Sequence, residues 1–443
     1  MKKQKKIEKM PLVQLISLGC AKNFVDTEHA AASLLLHGFG LANDDADADI
    51  LFINTCAFLR SAREEVAEHL AYAAQWKKQK KGRLVIVGGC FPAWDKNNEY
   101  MPAYTCVDAW LQPGEISTIG TVAEALRAKL PMASVTPDPD APRLQLTPEH
   151  YAWLRVADGC CNCCTYCLIP TIRGPLASRP LDSVVKEAEN LVANGVKELM
   201  IIAQDTASYG KDLSKASLLP DLLKSIDKLD GDFFFRVLYL HPAHVTKKLL
   251  KTMEACDRIA PCLEMPIQHI SDPVLQRMNR HISETSLRKV LDDVSDAGFE
   301  LRTTLMTGFP GETEEDFEKL TDLVKEQQFM RMGVFAYSAE EGTPAYAMKD
   351  QVPAKVANAR KKELEKLQKQ ISLLRNKALI NTETAVIVDA DYGDGTGTGR
   401  TLYDLPDIDN SVKLKGLDGT AQGEVIPVRI TRADAYQIQA KTL

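Results

Sequence analysis

Five of the chain's eleven cysteines fall between residues 160 and 167, in the run CCNCCTYC, directly after a strand-like segment, YAWLRVADG. Thiols this close on one tight turn cannot reach bridge geometry, and a reducing compartment would not preserve the bridges. The run therefore reads as a metal site. Three ligand sets fit it, Cys160/Cys164/Cys167, Cys161/Cys164/Cys167 and Cys160/Cys163/Cys167, and spacing alone does not choose among them. Each offers three thiolates to a four-iron cubane and leaves one iron without a protein ligand, open to chemistry. Structural zinc wants four ligands, usually as two separated pairs, and no second CxxC pair occurs elsewhere. The iron–sulfur reading is preferred over zinc and over a redox or incidental thiol cluster.

Three more cysteines end apolar runs: LVQLISLGC closes on Cys20, ADILFINTC on Cys56 and RLVIVGGC on Cys90. Between these runs lie helical patterns, clearest over 61–78, where Ser61 and Glu64 have capping-box spacing. Alternating β and α units predict an open parallel sheet with helices on both faces, whose ligands bind beyond the strands' carboxyl ends. Parallel, adjacent strands would make these three thiols neighbours. One such cysteine would read as a small buried hydrophobe. Three at the same topological position predict a second metal site with Cys20, Cys56 and Cys90 as ligands. Cys106, Cys256 and Cys262 have no matching placement and are assigned to the core or to no role.

Beyond a Pro-rich stretch (131–150) the alternation resumes with strand candidates at 151–156, 198–203, 233–240, 262–267, 299–306 and 332–337. Helical segments fall between them, at 180–195, 246–255 and 313–327 among others. Six βα units fit a partial (βα)6 barrel, whose active edge is at the strand C-termini. The cluster loop follows the first strand there. Gln204 and Asp205 follow the second, His241 the third, Gln268 and His269 the fourth, the GFPGE turn (308–312) the fifth, and Tyr337 and Ser338 the sixth. Alone, GFPGE is a turn, Glu312 an acidic first-turn residue and His269 a structural histidine. Their agreement on one edge, beside three thiols, lifts the set above its members. Reductive cleavage of S-adenosylmethionine is the chemistry that needs an open iron in a partial barrel, since the cofactor's amino and carboxylate groups can chelate it.

The run GCCNCCTYCLIPTIRGPLASRP (159–180) resembles the radical SAM methylthiotransferases, and the resemblance covers nearly the whole chain. Their CxxxCxxC motif selects Cys160, Cys164 and Cys167. Their N-terminal domain carries cysteines in the contexts SLGCAKNFVDTE, NTCAF and VGGC, which implies a second [4Fe–4S] cluster on Cys20, Cys56 and Cys90. In that family the auxiliary cluster supplies or carries sulfur, one SAM methylates it and a second SAM generates the radical. Taken with the barrel edge, the candidate SAM-contacting residues are Tyr166, Gln204, Asp205, Gly308, Pro310, Gly311 and Tyr337. One branch of the family modifies an adenosine in tRNA and the other an aspartate β-carbon of ribosomal protein S-twelve. AQDTASYG (203–210), LYLHP (238–242), PIQHISDPVLQRM (266–278), GVFAYSAEEGTPAY (333–346) and GRTLYDLPDIDNSV (399–412) resemble the ribosomal-protein branch. The chain departs from the family in its extra thiols, Cys161 and Cys163, and in Gly174–Ala177, where a basic-aromatic stretch is more usual.

Residues 380–443 alternate short strands with Gly/Asp turns and look like a small five-stranded OB-like barrel, the family's TRAM domain. An RNA grip should be basic, yet this segment holds ten acidic and six basic residues, as suits a basic protein partner. The basic stretch 352–379 reads as a solvated connector, with RNA contact the secondary reading.

The expected organisation is an N-terminal methylthiotransferase domain at 11–130, a linker at 131–145, a radical SAM core at 146–378 and the TRAM domain at 379–443. At 443 residues with a net charge of −6 the chain has ample core capacity, and its longest apolar runs are strand-sized. The opening MKKQKKIEKMPLVQLISLGC imitates an export signal. Pro11 and Gln14 interrupt its apolar stretch, and Ser17 is not the aliphatic residue a lipidation site prefers, so a cytoplasmic enzyme is expected. The partners implied are ribosomal protein S-twelve, free or within a ribosomal particle, and a flavodoxin- or ferredoxin-type electron donor, with no membrane. A non-catalytic electron-transfer protein and a zinc-stabilised RNA-binding module are the readings from other classes.

Overall fold

The computed structural model describes residues 9–131, 136, 138 and 140–443. The lysine-rich opening, residues 1–8, and part of the expected 131–145 linker lie outside the described residues. The chain forms two compact units, one running to Leu146 and joined by Leu168–Pro175, the other of Thr147–Cys167 with Leu176–Leu443.

The first unit is an open sheet of five parallel strands, β1 (Leu12–Ser17), β2 (Gly40–Leu41), β3 (Ile50–Thr55), β4 (Leu84–Gly89) and β5 (Ala109–Leu111), in the order β2-β1-β3-β4-β5. Successive side chains on a strand point to opposite faces. Leu51 and Ile53 of β3 join one apolar cluster with Val85, Val87 and α2 (Arg60–Gln79). Ile50, Phe52 and Ile86 join another with α1 (Ala21–Leu36) and α4 (Ile119–Ala128). Both faces are covered, so β3 is buried along its whole length. Between β4 and β5 lies the short α3 (Cys90–Trp94), and the later segment adds α5 (Ile169–Ile172), whose Ile172 packs in the first cluster with Leu168. The expected cap at Ser61 is not formed. α2 begins at Arg60, its N-cap falling on Leu59, two residues before Ser61, with no side-chain cap, and Glu64 pairs instead with Arg60 at 2.9 Å.

In the second unit, six parallel strands carry the core. β6 (Tyr151–Arg155), β9 (Glu198–Ile202) and β10 (Phe234–Val237) pair in that order, as do β11 (Cys262–Glu264), β12 (Glu300–Thr307) and β13 (Arg331–Ala336). A parallel bridge from Phe235 to Ile259 and the Leu240 N–H to Glu264 C=O bond, 2.9 Å, continue the arc from β10 to β11. Helices α6 (Leu181–Ala193), α7 (Leu219–Asp227), α8 (Lys247–Glu254), α10 (Glu284–Asp296) and α11 (Glu314–Gln327) cover it, with the short α9 (Asp272–Arg277) after β11. Thr246, Ser283 and Thr313 cap α8, α10 and α11 through their side chains. A short antiparallel pair, β7 (Ala157–Asp158) with β8 (Ala177–Ser178), closes the neck of the cysteine loop.

The basic stretch forms α12 (Ala354–Ala378), and the expectation of a solvated connector fails for one of its faces. Ala357, Arg360, Leu364, Gln368, Ile371, Ser372 and Asn376 are buried there, and the helix packs on β12 and β13. Arg360 apart, its basic side chains crowd the other face, which is why composition alone hid the buried stripe.

A closed barrel follows, formed by β14 (Glu383–Asp391), β15 (Thr396–Thr401), β16 (Ser411–Lys415), β17 (Val425–Ala433) and β18 (Gln437–Thr442) in the order β14-β15-β16-β18-β17. It is tied to the starts of the core strands. Arg400 reaches Glu198, the first residue of β9, at 2.5 Å, Arg331 of β13 reaches Asp404 at 2.5 Å, and Arg302 pairs with Asp409. The small barrel thus grips the edge opposite the strand C-termini. The architecture is the expected one: an open parallel α/β sheet, a partial (βα)6 barrel and a small β-barrel.

Candidate metal centres

The cysteine loop leaves the C-terminal edge of the core between β7 and α5. Cys160, Cys164 and Cys167 are half-buried, whereas Cys161 and Cys163 are exposed. The Cys167 N–H donates to the Cys164 carbonyl at 3.0 Å, and the Asn162 N–H to the Cys160 sulfur at 3.5 Å. Cys163 takes a left-handed φ of 50°, and its carbonyl accepts from Asn279 Nδ2 at 3.0 Å. The Cys161 sulfur accepts from the Leu176 N–H at 3.4 Å. Thr165 pins the middle of the loop through Met278 O at 3.1 Å, Arg277 O at 2.7 Å and the Ala345 N–H at 2.9 Å. Arg280 Nη1 lies 3.7 Å from the Cys164 sulfur.

Burial pushes the Cys160 thiol up to about 11, with nearby negative groups, Asp205 foremost, adding to the shift. Such a thiol keeps its proton at neutral pH until a metal displaces it. The donor set fits a thiophilic cluster. Among the described residues no three His, Cys, Asp or Glu side chains converge on a single-ion site. A cubane, whose ligands bind separate irons, needs its thiolates farther apart than one ion does.

The polar groups at the other strand ends hold the loop more than they offer themselves to a ligand. The Asp205 carboxylate accepts from His244 Nδ1 (2.6 Å), Ser208 Oγ (2.7 Å), Asn162 Nδ2 (2.9 Å) and the His241 N–H (3.1 Å). Burial opposes its charge, but these donors hold it well below the usual carboxylate range. Gln204 donates to Asp158 at 2.6 Å, and its Oε1 is buried without a partner. His241 is pulled down to about 2 by burial and by Arg280, and its Nε2 is likewise buried and unpartnered. His269 accepts from the Ser271 N–H on Nδ1 at 3.0 Å, and its Nε2 stands 3.8 Å from Glu312.

The 308–312 turn is rigid for reasons internal to the fold. Glu312 accepts from the Gly308 N–H (2.7 Å) and the Phe309 N–H (3.3 Å), and pairs with Arg360 of α12 at 2.6 Å. Gly308 has φ +74°, and a Cβ there would stand 2.1 Å from the Ala357 Cβ. Pro310 accepts from Arg277 at 3.3 Å, and the Gly311 N–H donates to Asp350 at 2.7 Å. Tyr166, Phe309 and Tyr337 form an edge-to-face series, with centroids 6.2 and 5.2 Å apart. This joins the cysteine loop, the turn and the end of β13. Of the candidate SAM-contacting residues, the structure gathers Tyr166 and Tyr337 into one aromatic wall. It leaves Gln204 one uncommitted oxygen and spends Asp205 on the loop.

The first unit assembles its thiols from three elements. The register sets Ser17 beside Asn54 and Thr55 beside Gly89, so β1, β3 and β4 end nearly flush. Cys20 then precedes α1, Cys56 follows β3 and Cys90 opens α3. The three are close enough to interact: burial pushes Cys90 up to about 12, and Cys56 and Cys20 add to the shift. Cys56 is also raised, again by burial first. Asn23 knits this edge, donating to Leu18 O (3.0 Å) and Thr55 O (2.8 Å) and accepting from Arg173 (2.5 Å) on the Oδ1 that also faces the Cys90 sulfur at 3.5 Å. Arg173 pairs with Asp26 at 2.8 Å. Gly89 has φ +94°, and a Cβ there would lie 2.3 Å from Asn54 Oδ1 and 2.6 Å from Thr55 O.

Sequence reasoning missed Asn23, Asn162, Arg173 and Arg280. Asn23, Asn162 and Arg173 lie inside the quoted motifs, the only signal that could have drawn attention to them, and Arg280 falls two residues beyond the run that ends at Met278. Cys256 and Cys262 are buried, with Cys262 accepting from Arg236 at 3.3 Å, and Cys106 is half-buried. Among the described residues no helix is long and apolar enough to cross a membrane.

Residues 154–324 match the radical SAM superfamily, residues 12–112 the uncharacterised protein family UPF0004, and residues 380–443 the TRAM domain. The chain is 40% identical over 438 residues to the ribosomal protein uS12 methylthiotransferase RimO of Geotalea uraniireducens, covering 96% of this chain and 97% of that one. It is 41% identical over 442 residues to the protein of the same description from Elusimicrobium minutum, covering 98% and 100%. Among solved structures it resembles the radical SAM methyltransferase TsrM of Kitasatospora setae, with a TM-score of 0.55, 15% identity and coverage of 73% and 72%. It also resembles the cobalamin-dependent radical SAM enzyme OxsB, with a TM-score of 0.52, 13% identity and coverage of 82% and 56%. At these identities the structural likenesses speak to fold alone.

Proposed function

The chain belongs to the RimO family of ribosomal protein uS12 methylthiotransferases, and from that premise we propose that it methylthiolates the β-carbon of an aspartate in ribosomal protein uS12. The end-to-end identity to RimO proteins is the observation that carries this reading. We further propose two [4Fe–4S] clusters, one on Cys160, Cys164 and Cys167 and one on Cys20, Cys56 and Cys90, and the use of two SAM molecules per product. The domains are read as 11–130, 146–378 and 379–443, with 131–145 linking the first two.

When bound, the loop's cluster and SAM supply one-electron cleavage of the sulfonium, and the second cluster supplies or carries the sulfur. The chain's own residues have simpler tasks. Asp205, through Asn162, holds the loop in shape, so we assign it to positioning. Tyr166, Phe309 and Tyr337 form an apolar wall suited to keeping water away from a reactive intermediate. Gln204 Oε1 is a buried acceptor at the same edge, and a buried acceptor without a donor is costly until a ligand supplies one. Gly308, Pro310 and Gly311 shape the wall through their backbone, because their turn's N–H groups are already bonded internally.

The small C-terminal barrel, at the opposite edge of the core, suits a docking role. Its ten acidic and six basic residues favour a basic protein over a nucleic-acid backbone. A flavodoxin- or ferredoxin-type donor and a cytoplasmic setting complete the reading. Intact-mass analysis of uS12, with nucleoside analysis of tRNA, from cells with and without the gene tests it. A methylthio group lost from uS12 alone is expected; loss from tRNA adenosine alone would contradict the substrate assignment.

A further inference from the structure

Arg280 is 5% exposed, and its guanidinium is committed to very little. Nη2 donates to the Pro266 carbonyl at 2.5 Å, Nη1 faces the Cys164 sulfur at 3.7 Å, and Nε is buried without a partner. Among the described residues it has no carboxylate within ion-pair distance. Of the other buried arginines, Arg83 also has no carboxylate but is met by three backbone carbonyls, by Gln79 and by the Trp76 ring, while Arg173 has Asp26, Arg236 has Glu198, Arg360 has Glu312 and Glu314, and Arg400 has Glu198 and Asp389. A buried cation with neither a counter-ion nor a full set of acceptors is costly, and this one stands where thiolate charge would arrive. The acidic groups that act on it are Tyr166 and Cys164 of the cysteine loop and then Asp205, with the Cys164 sulfur in contact. Three thiolates on that loop would bring the missing charge, and each electron added to a cluster there would increase it.

We infer that Arg280 is the counter-cation of the cysteine loop, a positioning residue that favours the reduced, more negative state of whatever cluster the loop holds. The inference rests on the reading of the loop as a cluster site. Reduction there adds one electron from the external donor and moves no proton, so the guanidinium's contribution is electrostatic and appears in the midpoint potential. Arg173 at the other thiol set is already neutralised by Asp26, so the two arginines are not equivalent.

The test uses the full chain, loaded anaerobically with iron and sulfide, in a Cys20→Ala/Cys56→Ala/Cys90→Ala background so that only the loop reports. Redox titration followed by electron paramagnetic resonance compares Arg280, Arg280→Gln and Arg280→Lys, with folding checked by circular dichroism. The Gln variant is expected to be harder to reduce by at least tenfold at fixed poise, about 59 mV for one electron. The Lys variant, keeping the charge, should stay within that margin of the parent. Equal potentials in all three overturn the inference, as does a loss shared equally by the Lys variant. Should the Gln variant not fold, the Lys variant decides alone: a departure of tenfold or more overturns the role assigned to charge. Absence of iron–sulfur absorption from the parent itself would overturn the cluster reading, and the inference with it.

Discussion

The two thiol sets reach similar compositions by opposite routes. The loop set comes from eight consecutive residues on one turn, pinned by Thr165, Asn162 and Asp205. The sheet set comes from three positions spread over seventy residues and is united only because β1, β3 and β4 are adjacent, parallel and flush. A local site tolerates changes in distant packing as long as its neck and pins survive. A topological set is only as good as the sheet register, since strand pairing alone brings its thiols together. Their electrostatics differ as well: the cation beside Cys90 is paired with a carboxylate, and the cation beside Cys164 is not.

The largest effects should come from removing ligands, one set at a time. Cys160→Ala, Cys164→Ala or Cys167→Ala should abolish 5′-deoxyadenosine formation from SAM under reduction. Cys56→Ala should retain it while methylthiolated product falls below detection. Liquid chromatography with mass detection reads both, and unchanged product from any of these variants contradicts that ligand assignment.

Next in size is a backbone lesion confined to the sheet set. Gly89→Ala forces a Cβ against Asn54 and Thr55 at a left-handed φ and should cost about 3 kcal/mol or more. Iron should then be lost from the first unit while the loop's deoxyadenosine production persists. Simultaneous loss of both would show that the sites do not assemble separately.

Asp205→Asn removes the charge that gathers Asn162, Ser208 and His244 behind the loop. Altering such a supporting group typically costs ten- to a hundredfold in metal affinity or activity. SAM cleavage should fall by about that factor, and iron bound in the first unit should not change.

A smaller effect is expected from pH. Burial lowers His269 to about 3, so between that value and its ordinary value near 6.5 the unfolded chain binds a proton that the folded chain refuses. Stability from this group is therefore complete above about pH 6.5 and declines as pH falls toward 3. His269→Gln should flatten the fall of the urea midpoint between pH 6.5 and 4.5, and an unchanged slope would contradict the assignment. Smallest of all, Cys161→Ser and Cys163→Ser, at exposed positions, should leave iron content unaltered.

How much of this was legible in sequence follows the same division. The loop's thiols announce themselves by crowding, although their spacing left three ligand sets open until a family resemblance favoured one, and the sheet's thiols by ending three apolar runs, so the two groups of cysteines and the strands beneath them were legible. The supporting residues could not. Asn23 and Arg173 meet across some 150 residues, and Arg280 meets Cys164 across more than a hundred, contacts that no local periodicity encodes. Asp205 was legible as a polar strand-end residue, but not as one whose donors are all internal. Ser61 shows the limit of capping signals, for the helix already includes it and has its N-cap at Leu59. α12 shows the limit of composition: a strongly basic stretch hid a buried face, because all its charges but Arg360 lie off the packed side of the helix.

The most direct test of the account is the iron and acid-labile sulfide content of four anaerobically loaded proteins: the parent, each triple-Cys→Ala variant and the sixfold variant. Two independent four-iron sites predict about eight iron atoms per chain in the parent, about four in each triple variant and none in the sixfold variant. A triple variant that keeps all the parent's iron, or loses all of it, would contradict two separately built sites.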